Sequence, residues 1–278
     1  MKEAPGSKGE FYDAQYGRFA TDLYSAIRRE TWGRDIGQNG WITAEEVEKF
    51  IAWLGLRASG ALLDVACGSG GPTLFMAERS GCAVTGVDLH ESGIAQARRQ
   101  AEERGLGARA RFEVADGSGT LPFADASFDA ITCFDAINHL PDRPRVLREW
   151  RRVLKPGGRL LLTDPITITG AITDEELRIR TSIGFFLVVP AGHDAALLRE
   201  CGFEIEREED ATENVAQVAQ RWHDARAARD ADLRRVDGDE VHERQQRFLE
   251  VTARLARERR LSRVVVVARR SAPALLGE

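Results

Sequence analysis

The stretch LLDVACGSGGP, Leu62 to Pro72, decides the fold. Leu62, Leu63 and Val65 read as a short strand buried on both faces. Gly68, Gly70 and Gly71 then let the backbone turn tightly and approach a ligand with no Cβ in the way. Asp64 places a carboxylate at the end of that strand, where it would repel a pyrophosphate and suit a ligand carrying cationic groups. The third glycine of a GxGxxG reading would fall at Thr73 and is missing, so phosphate binding over this turn is disfavoured.

Outward from this turn, short apolar runs alternate with amphipathic segments, the pattern of a parallel sheet covered by helices on both faces. The runs are ALLDVA (61–66), AVTGVD (83–88), ARFEVAD (110–116), FDAITCF (128–134) and GRLLLTD (158–164). Ser92–Arg104 and Arg145–Leu154 have helical character, and KPGG at 155–158 is a stop before the fifth run. After Asp164 about twenty-five residues, ending near GFFLVVP (184–190), contain no clear paired unit and form a cap candidate. His193–Cys201 resumes as helix and Phe203–Glu208 as strand. A helical insertion rich in Ala, Arg, Asp and Glu then runs from Thr212 to about Arg260, before SRVVVVARR (262–270) returns to strand. The insertion, tethered to the sheet at both ends, reads as a lid.

Upstream, residues 1–10 read as a tail and Phe11 to about Glu30 as helix. A further helix starts at Thr43, with Glu46 in capping-box position and Val47, Phe50, Ile51 and Leu54 on its apolar face. The expected organisation is an N-terminal helical cap (1–57), a cofactor-binding core (58–165), a substrate-side insert (166–192) and a completion of the core (193–278) carrying the lid at 212–260.

Two more acids repeat the placement of Asp64. Asp88 ends the second run, where a carboxylate can accept both hydroxyls of a ribose. Asp116 ends the third, where an acceptor can meet an exocyclic adenine amine while the amides of Gly117 or Ser118 meet the ring. Three acids at successive strand ends around a glycine turn make a coherent nucleoside site.

Length and charge narrow the partners. The chain has 278 residues, with 39 Lys plus Arg against 44 Asp plus Glu and a formal net charge of -5, which suits a large α/β domain and gives a nucleic-acid partner no overall help. The arginines of 212–260 are interspersed with acids such as Asp224, Asp230, Asp232 and Asp237, the pattern of solvated ion pairs. Cys67, Cys82, Cys133 and Cys201 lack CxxC spacing and read as buried thiols, with neither a disulfide framework nor a metal site expected. No apolar run of signal-peptide or membrane length occurs, so a cytoplasmic protein with no membrane partner is the expectation. A monomer and a homodimer both remain open.

The combination of LLDVACGSGG (62–71), TGVDL (85–89), FEVADG (112–117), FDAITCFDAINHLPD (128–142) and LREWRRVLKPGGRLLLTD (147–164) resembles the class I S-adenosylmethionine-dependent methyltransferase family, in its small-molecule branch. The resemblance covers about residues 40–270. It implies a Rossmann-like α/β fold, a seven-stranded mixed sheet with helices on both faces and a largely helical cap, the last strand lying antiparallel between the fifth and sixth. It further implies S-adenosylmethionine as cofactor: Asp64 with Ala66, Gly68 and Gly70 at the methionyl end, Asp88 and Leu89 at the ribose, Asp116 and Gly117 at the adenine. Ala66 stands where the family has its first motif glycine. The segment FYDAQYGRF…WGRDIGQNGWIT resembles the part that folds over the cofactor, making Gln38 and Trp41 cofactor contacts and Tyr12 and Tyr16 candidates for the enclosed ligands, Tyr16 toward the acceptor. Thr43 serves at least as a helix cap.

For the chemistry, methyl transfer needs an aligned nucleophile, and a base only if the acceptor arrives protonated. His139 follows the fourth strand and titrates near neutrality, so it is the first choice for base. Asp135 precedes it by four residues as a second catalytic candidate. Asn138, Asp164, Glu213, Asn214 and Tyr16 are acceptor-contact candidates, His193 a weaker base, and Phe185, Phe186 and Trp222 apolar walls. No metal ligands are expected. The leading expectation is methylation of an oxygen or nitrogen of a small metabolite. A ligand-binding protein that keeps this fold without chemistry and an NAD-dependent oxidoreductase are the alternatives.

Overall fold

A computed structural model describes residues 15–271, so Tyr12 lies outside the described residues. The helices α1 (Asp22–Trp32) and α2 (Ala44–Leu54) lie before the sheet. The core follows as β1 (Ala61–Val65), α3 (Gly71–Ser80), β2 (Ala83–Asp88), α4 (Glu91–Glu103), β3 (Ala110–Val114), β4 (Phe128–Cys133), a 3₁₀ turn (Ile137–His139), α5 (Arg143–Val153) and β5 (Leu154–Ile168). Then come α6 (Asp174–Arg180), β6 (Val189–Pro190), α7 (His193–Glu200), β7 (Phe203–Asp210), the helices α8 (Thr212–Ala227), α9 (Asp230–Asp237) and α10 (Asp239–Arg257), and β8 (Leu261–Arg270).

The sheet runs β3-β2-β1-β4-β5-β8-β7. The first five are parallel and β8 is antiparallel to both β5 and β7, as the resemblance implied. Alternate residues of β1 serve opposite cores: Leu62 packs with Phe75, Met76, Ile94 and Phe112 on one side, Leu63 and Val65 with Ile131, Trp150 and Leu162 on the other. Burial on both faces is why the strand reads as a continuous apolar run.

Three features differ from the expectations. The sheet has eight strands, because the two-residue β6 pairs with the far end of β5. The KPGG segment does not precede β5 but is its beginning: α5 ends at Val153, and Gly157 at φ 76° carries an irregularity across which Phe128 faces Leu154 while Ala130 faces Arg159. The insert 166–192 contains α6, whose start is fixed by a Thr173/Glu176 capping box that lies before a short charged helix rather than an apolar stripe. The Thr43/Glu46 capping box is present as read.

The helices of 212–260, expected as a lid, are held by a core of their own. Val215, Val218 and Ala219 of α8 meet Phe248, Leu249 and Ala253 of α10, with Trp32 and Trp41 from the N-terminal part. This cluster seats the N-terminal segment and the lid together above the carboxyl ends of β1 and β4. The loop between α1 and α2 comes down onto the glycine turn so closely that a Cβ on Gly71 would lie 2.2 Å from the carbonyl oxygen of Gly37. Both partners are backbone, so neither can swing away. Gly71→Ala is therefore expected to lower the melting temperature by several degrees, corresponding to about 1–3 kcal/mol of overpacking; an unchanged transition in a thermal melt would show that the 36–40 loop does not rest on this turn.

Candidate functional site

A cavity of about 470 Å³ opens at the carboxyl ends of β1, β2, β3 and β4. One half is built from the glycine turn and the strand-end acids: Asp64, Ala66, Gly68, Asp88, Leu89, Asp116 and Gly117 all line it. The other half is walled by Trp41, Ile183, Phe185, Phe186, Trp222 and Phe248, with His139, Arg180 and Gln245 as its polar side chains. A wider groove of about 750 Å³ lies between α6 and the lid helices, but its lining is largely charged and the glycine turn takes no part in it.

The turn is held open by backbone geometry. Gly68 adopts φ 56°, and a Cβ there would stand 2.6 Å from the Tyr16 hydroxyl; Gly70 adopts φ 78°, with Ala97 at 2.7 Å from the equivalent position. Gly70 thus faces α4 and β3 and supports the turn from behind instead of lining the cavity. Ala66 takes φ 60°, a left-handed conformation that costs an alanine about 1 kcal/mol. The chain carries this strain at the residue where the family has glycine.

Asp88 accepts hydrogen bonds from the Gly68 amide at 2.8 Å through one oxygen and from the His90 amide at 2.9 Å through the other. Burial raises its pKa and these amides pull it back. The carboxylate is thereby fixed with acceptor capacity left on each oxygen, as a ribose diol requires. Asp116 is oriented by the amide and hydroxyl of Ser118, at 2.8 and 2.6 Å. Leu89, 64% exposed, is the most exposed large apolar side chain among the described residues, and it faces this half. An apolar surface left bare beside two oriented acids fits the face of a nucleoside. Asp64 sits deeper, bonded by the hydroxyls of Thr73 and, at 2.8 Å, Thr132. Burial pushes its pKa up to about 7. The residues present therefore fit S-adenosylmethionine, with a cationic amino-acid end near Asp64 and a nucleoside between Asp88 and Asp116.

In the other half, the His139 ring lies 4.6 Å from that of Phe186, and Nδ1 is 2.6 Å from the carbonyl oxygen of Phe185. A carbonyl only accepts, so Nδ1 carries the proton and Nε2 is the basic nitrogen of the neutral ring. Burial holds the pKa below the usual histidine value, and the charges of Arg180 and His90 push the same way, against the Phe185 bond.

Asp135 borders the cavity, yet its carboxylate is committed. It accepts from Arg263 Nε at 2.6 Å, the Trp41 amide at 3.0 Å and the Thr163 hydroxyl at 2.7 Å, and the residue itself sits at φ 54°. Arg263, wholly buried, also binds Glu46 at 2.7 Å. Burial works against the Arg263 charge, and Asp135 and Glu46 outweigh it. Asn214 joins the same cluster by donating to Glu46 at 2.7 Å and to the Trp41 carbonyl at 2.9 Å.

Five further expected site residues do not line the cavity. Gln38 is buried with its amide spent on the turn it belongs to, accepting from the Ile36 amide at 2.8 Å and donating to the Arg34 carbonyl at 3.1 Å. Asn138 is fully buried and does not line the cavity. Asp164 lies beneath the site, paired at 2.8 Å with Arg143, which also binds Asp194 at 2.5 Å; burial and Asp194 raise its pKa. Glu213 is exposed and accepts from Gln217, and Asn214 serves the Arg263 cluster. Tyr16 does line the cavity, over Gly68 and 6.0 Å from the His90 ring, on the side of the glycine turn. Arg180, Ile183, Gln245 and Phe248 were not anticipated. All belong to the insert or the lid, whose placement depends on packing that no local pattern announces.

The four cysteines are free and buried, and among the described residues no cluster of acids, histidines and cysteines could hold a metal. No described helix is long and apolar enough to cross a membrane.

Residues 63–162 match the family model described as a methyltransferase domain. The chain is 33% identical over 224 residues to the 27-O-demethylrifamycin SV methyltransferase of Amycolatopsis mediterranei, covering 76% of this chain and 79% of that protein. It is 39% identical over 127 residues to the methyltransferase GfsG of Streptomyces halstedii, covering 46% of this chain and 45% of the other. Among solved structures, a Haemonchus contortus phosphoethanolamine N-methyltransferase 2 in complex with phosphomonomethylethanolamine and S-adenosylhomocysteine superposes with a TM-score of 0.78 at 20% identity, covering 98% of this chain and 62% of that one. With the acids, the glycine turn and the strand order already in place, the chain belongs to the class I S-adenosylmethionine-dependent methyltransferases.

Proposed function

We propose that the protein methylates a hydroxyl oxygen of a small, largely apolar metabolite of natural-product type. The observation that carries this reading is His139, held in one tautomer by the Phe185 carbonyl in the aromatic half of the cavity, with its pKa lowered so that the neutral base prevails at neutral pH. The relative named for 27-O-demethylrifamycin SV, a compound lacking an O-methyl group, supports the same acceptor class. S-adenosylmethionine supplies an electrophilic methyl on a sulfonium sulfur. Asp88 and Asp116 hold the nucleoside, and Asp64 faces the cationic end. His139 Nε2 takes the hydroxyl proton as the oxygen attacks, and the Phe185 carbonyl stabilises the imidazolium that results. Trp41, Phe186 and Phe248 exclude water and align the acceptor, an effect that reaches roughly 7–11 kcal/mol in the best-oriented reactions. Asp135 acts as a positioning residue through the Trp41 amide. Residues 15–57, the 166–192 insert and the 212–260 helices together act as the cover, which suits a free small molecule better than a polymer.

Three measurements test this. Asp88→Ala is expected to weaken S-adenosylhomocysteine binding about tenfold or more in calorimetry, the worth of one charge-assisted bond; undiminished affinity contradicts the ribose assignment. His139→Asn should lower turnover about a hundredfold. The wild-type rate should rise with pH through an inflection below the usual histidine value and then level off, because only the neutral ring accepts a proton. Persistence of that inflection in the variant removes the base role.

Asp64 adds a proton linkage. Because its carboxyl is held near pH 7 by burial, a cationic ligand must draw it into the ionised form. S-adenosylmethionine binding should release a proton around neutral pH and tighten as pH rises through about 7. Calorimetry in buffers of different ionisation enthalpy reads this release, and an Asp64→Asn protein showing the same release would refute it.

A further inference from the structure

In the aromatic half of the cavity, Gln245 is a polar side chain that the fold leaves unused. It stands on α10 one turn before Phe248, is only 5% exposed, and lines the cavity. The other two polar side chains of this wall meet backbone carbonyls, His139 that of Phe185 and Arg180 that of Pro165. The Gln245 amide makes no hydrogen bond to a described residue, and its nitrogen and oxygen keep their accessible surface on the cavity side. The next residue along the helix does the opposite: Gln246 donates to the His223 carbonyl at 3.2 Å and ties α10 to α8. One glutamine assembles the helices, and its neighbour faces the ligand space. An amide without a partner is costly where water is scarce, and a methionine or leucine would fill the same position with nothing to satisfy. The surroundings are apolar: the Phe248 ring lies 6.2 Å from that of Trp41, which lies 6.0 Å from that of Trp222.

Resting on the reading of this cavity as the seat of a hydroxylated acceptor, we propose that Gln245 is its specificity-determining residue, pairing with a carboxamide or lactam of the acceptor while His139 meets the hydroxyl. A primary amide presents a donor and an acceptor side by side in one plane. A second amide satisfies both at once, its carbonyl accepting from Nε2 and its N–H donating to Oε1. An ester or ketone meets the donor alone. A carboxylate meets the donor but repels Oε1, and an ammonium meets the oxygen but leaves the Nε2 hydrogens without an acceptor. Among aromatic rings such a pair forms away from water, where a made hydrogen bond is stronger and an unmade one costs more. An acceptor without the amide is rejected because Gln245 then stays unpaired. The acceptor class narrows to hydroxylated amides with an apolar body.

The test uses the full chain saturated with S-adenosylhomocysteine and three probes: 6-hydroxy-2-naphthamide, methyl 6-hydroxy-2-naphthoate and 2-naphthol. Calorimetry is expected to show the amide binding about tenfold tighter than the naphthol, or about 1.4 kcal/mol, with the ester between them. Gln245→Met, which keeps the length of the side chain and removes the amide, should bring the three affinities together. Equal affinities of the wild type for naphthamide and naphthol, binding of neither, or an order undiminished in Gln245→Met overturns the proposal. If Gln245→Met gives no cooperative melt, Gln245→Leu and the wild-type order decide. Failure of the underlying reading looks different: S-adenosylhomocysteine would not bind, or His139→Asn would transfer methyl groups at the wild-type rate.

Discussion

The buried cation of Arg263 is the interaction on which the arrangement of the site depends. It rises from β8, the strand that enters the sheet last, and is clasped by Asp135 from the end of β4 and Glu46 from the first turn of α2. Through Glu46 it reaches Asn214 at the start of the lid, and through Asp135 it reaches the Trp41 amide. Four segments far apart in sequence therefore meet at one guanidinium. Two acids around one arginine, all shielded from water, would be costly to assemble alone. Here the cost is offset by hydrogen bonds from Thr43, Thr163, Asn214 and Trp41, which leave the cluster well satisfied. The cluster also explains why Asp135 tolerates a left-handed backbone: Thr163 binds both its amide and its carboxylate.

This cluster stands between two halves of a cavity with different physics. The cofactor half is backbone and carboxylate, rigid because glycines at positive φ are locked by neighbours and because Asp88 fastens the turn to β2. The other half, the one proposed to take the acceptor, is aromatic and comes from segments outside the sheet. Such a division lets one half stay constant while the other varies with the acceptor, since the insert and the lid alter without disturbing the strand ends.

The same division governs what could be read from the residues alone. Strand-end acids and the glycine turn are local: their chemistry and spacing lie within a few residues of one another, so Asp64, Asp88, Asp116 and the parallel core were recognisable, as were the Thr43 cap and the existence of a last strand, whose antiparallel direction came only from the family resemblance. Arg180 was not. In DEELRIR it looks like any arginine on a solvated helix, and only the approach of α10, some seventy residues later, buries it. Gln38 and Asn214 failed in the opposite sense. Polar residues near a site invite a binding role, but backbone groups left unpaired by a turn or a lid joint claimed their side chains first. Asp164 repeats the strand-end placement of Asp64, Asp88 and Asp116, yet it is buried against Arg143 and does not line the cavity.

The aromatic wall also equips the protein with an intrinsic optical probe. Of its five tryptophans, Trp41 and Trp222 line the cavity with ring centroids 6.0 Å apart, and Trp32 stands 5.0 Å from Trp222. Excitation passes readily among indoles at such separations, so a molecule arriving beside one of them quenches or shifts the emission of the group, whereas Trp150 in the sheet core contributes a constant background. Occupancy of the acceptor half can thus be followed in real time by ultraviolet emission, with no label attached.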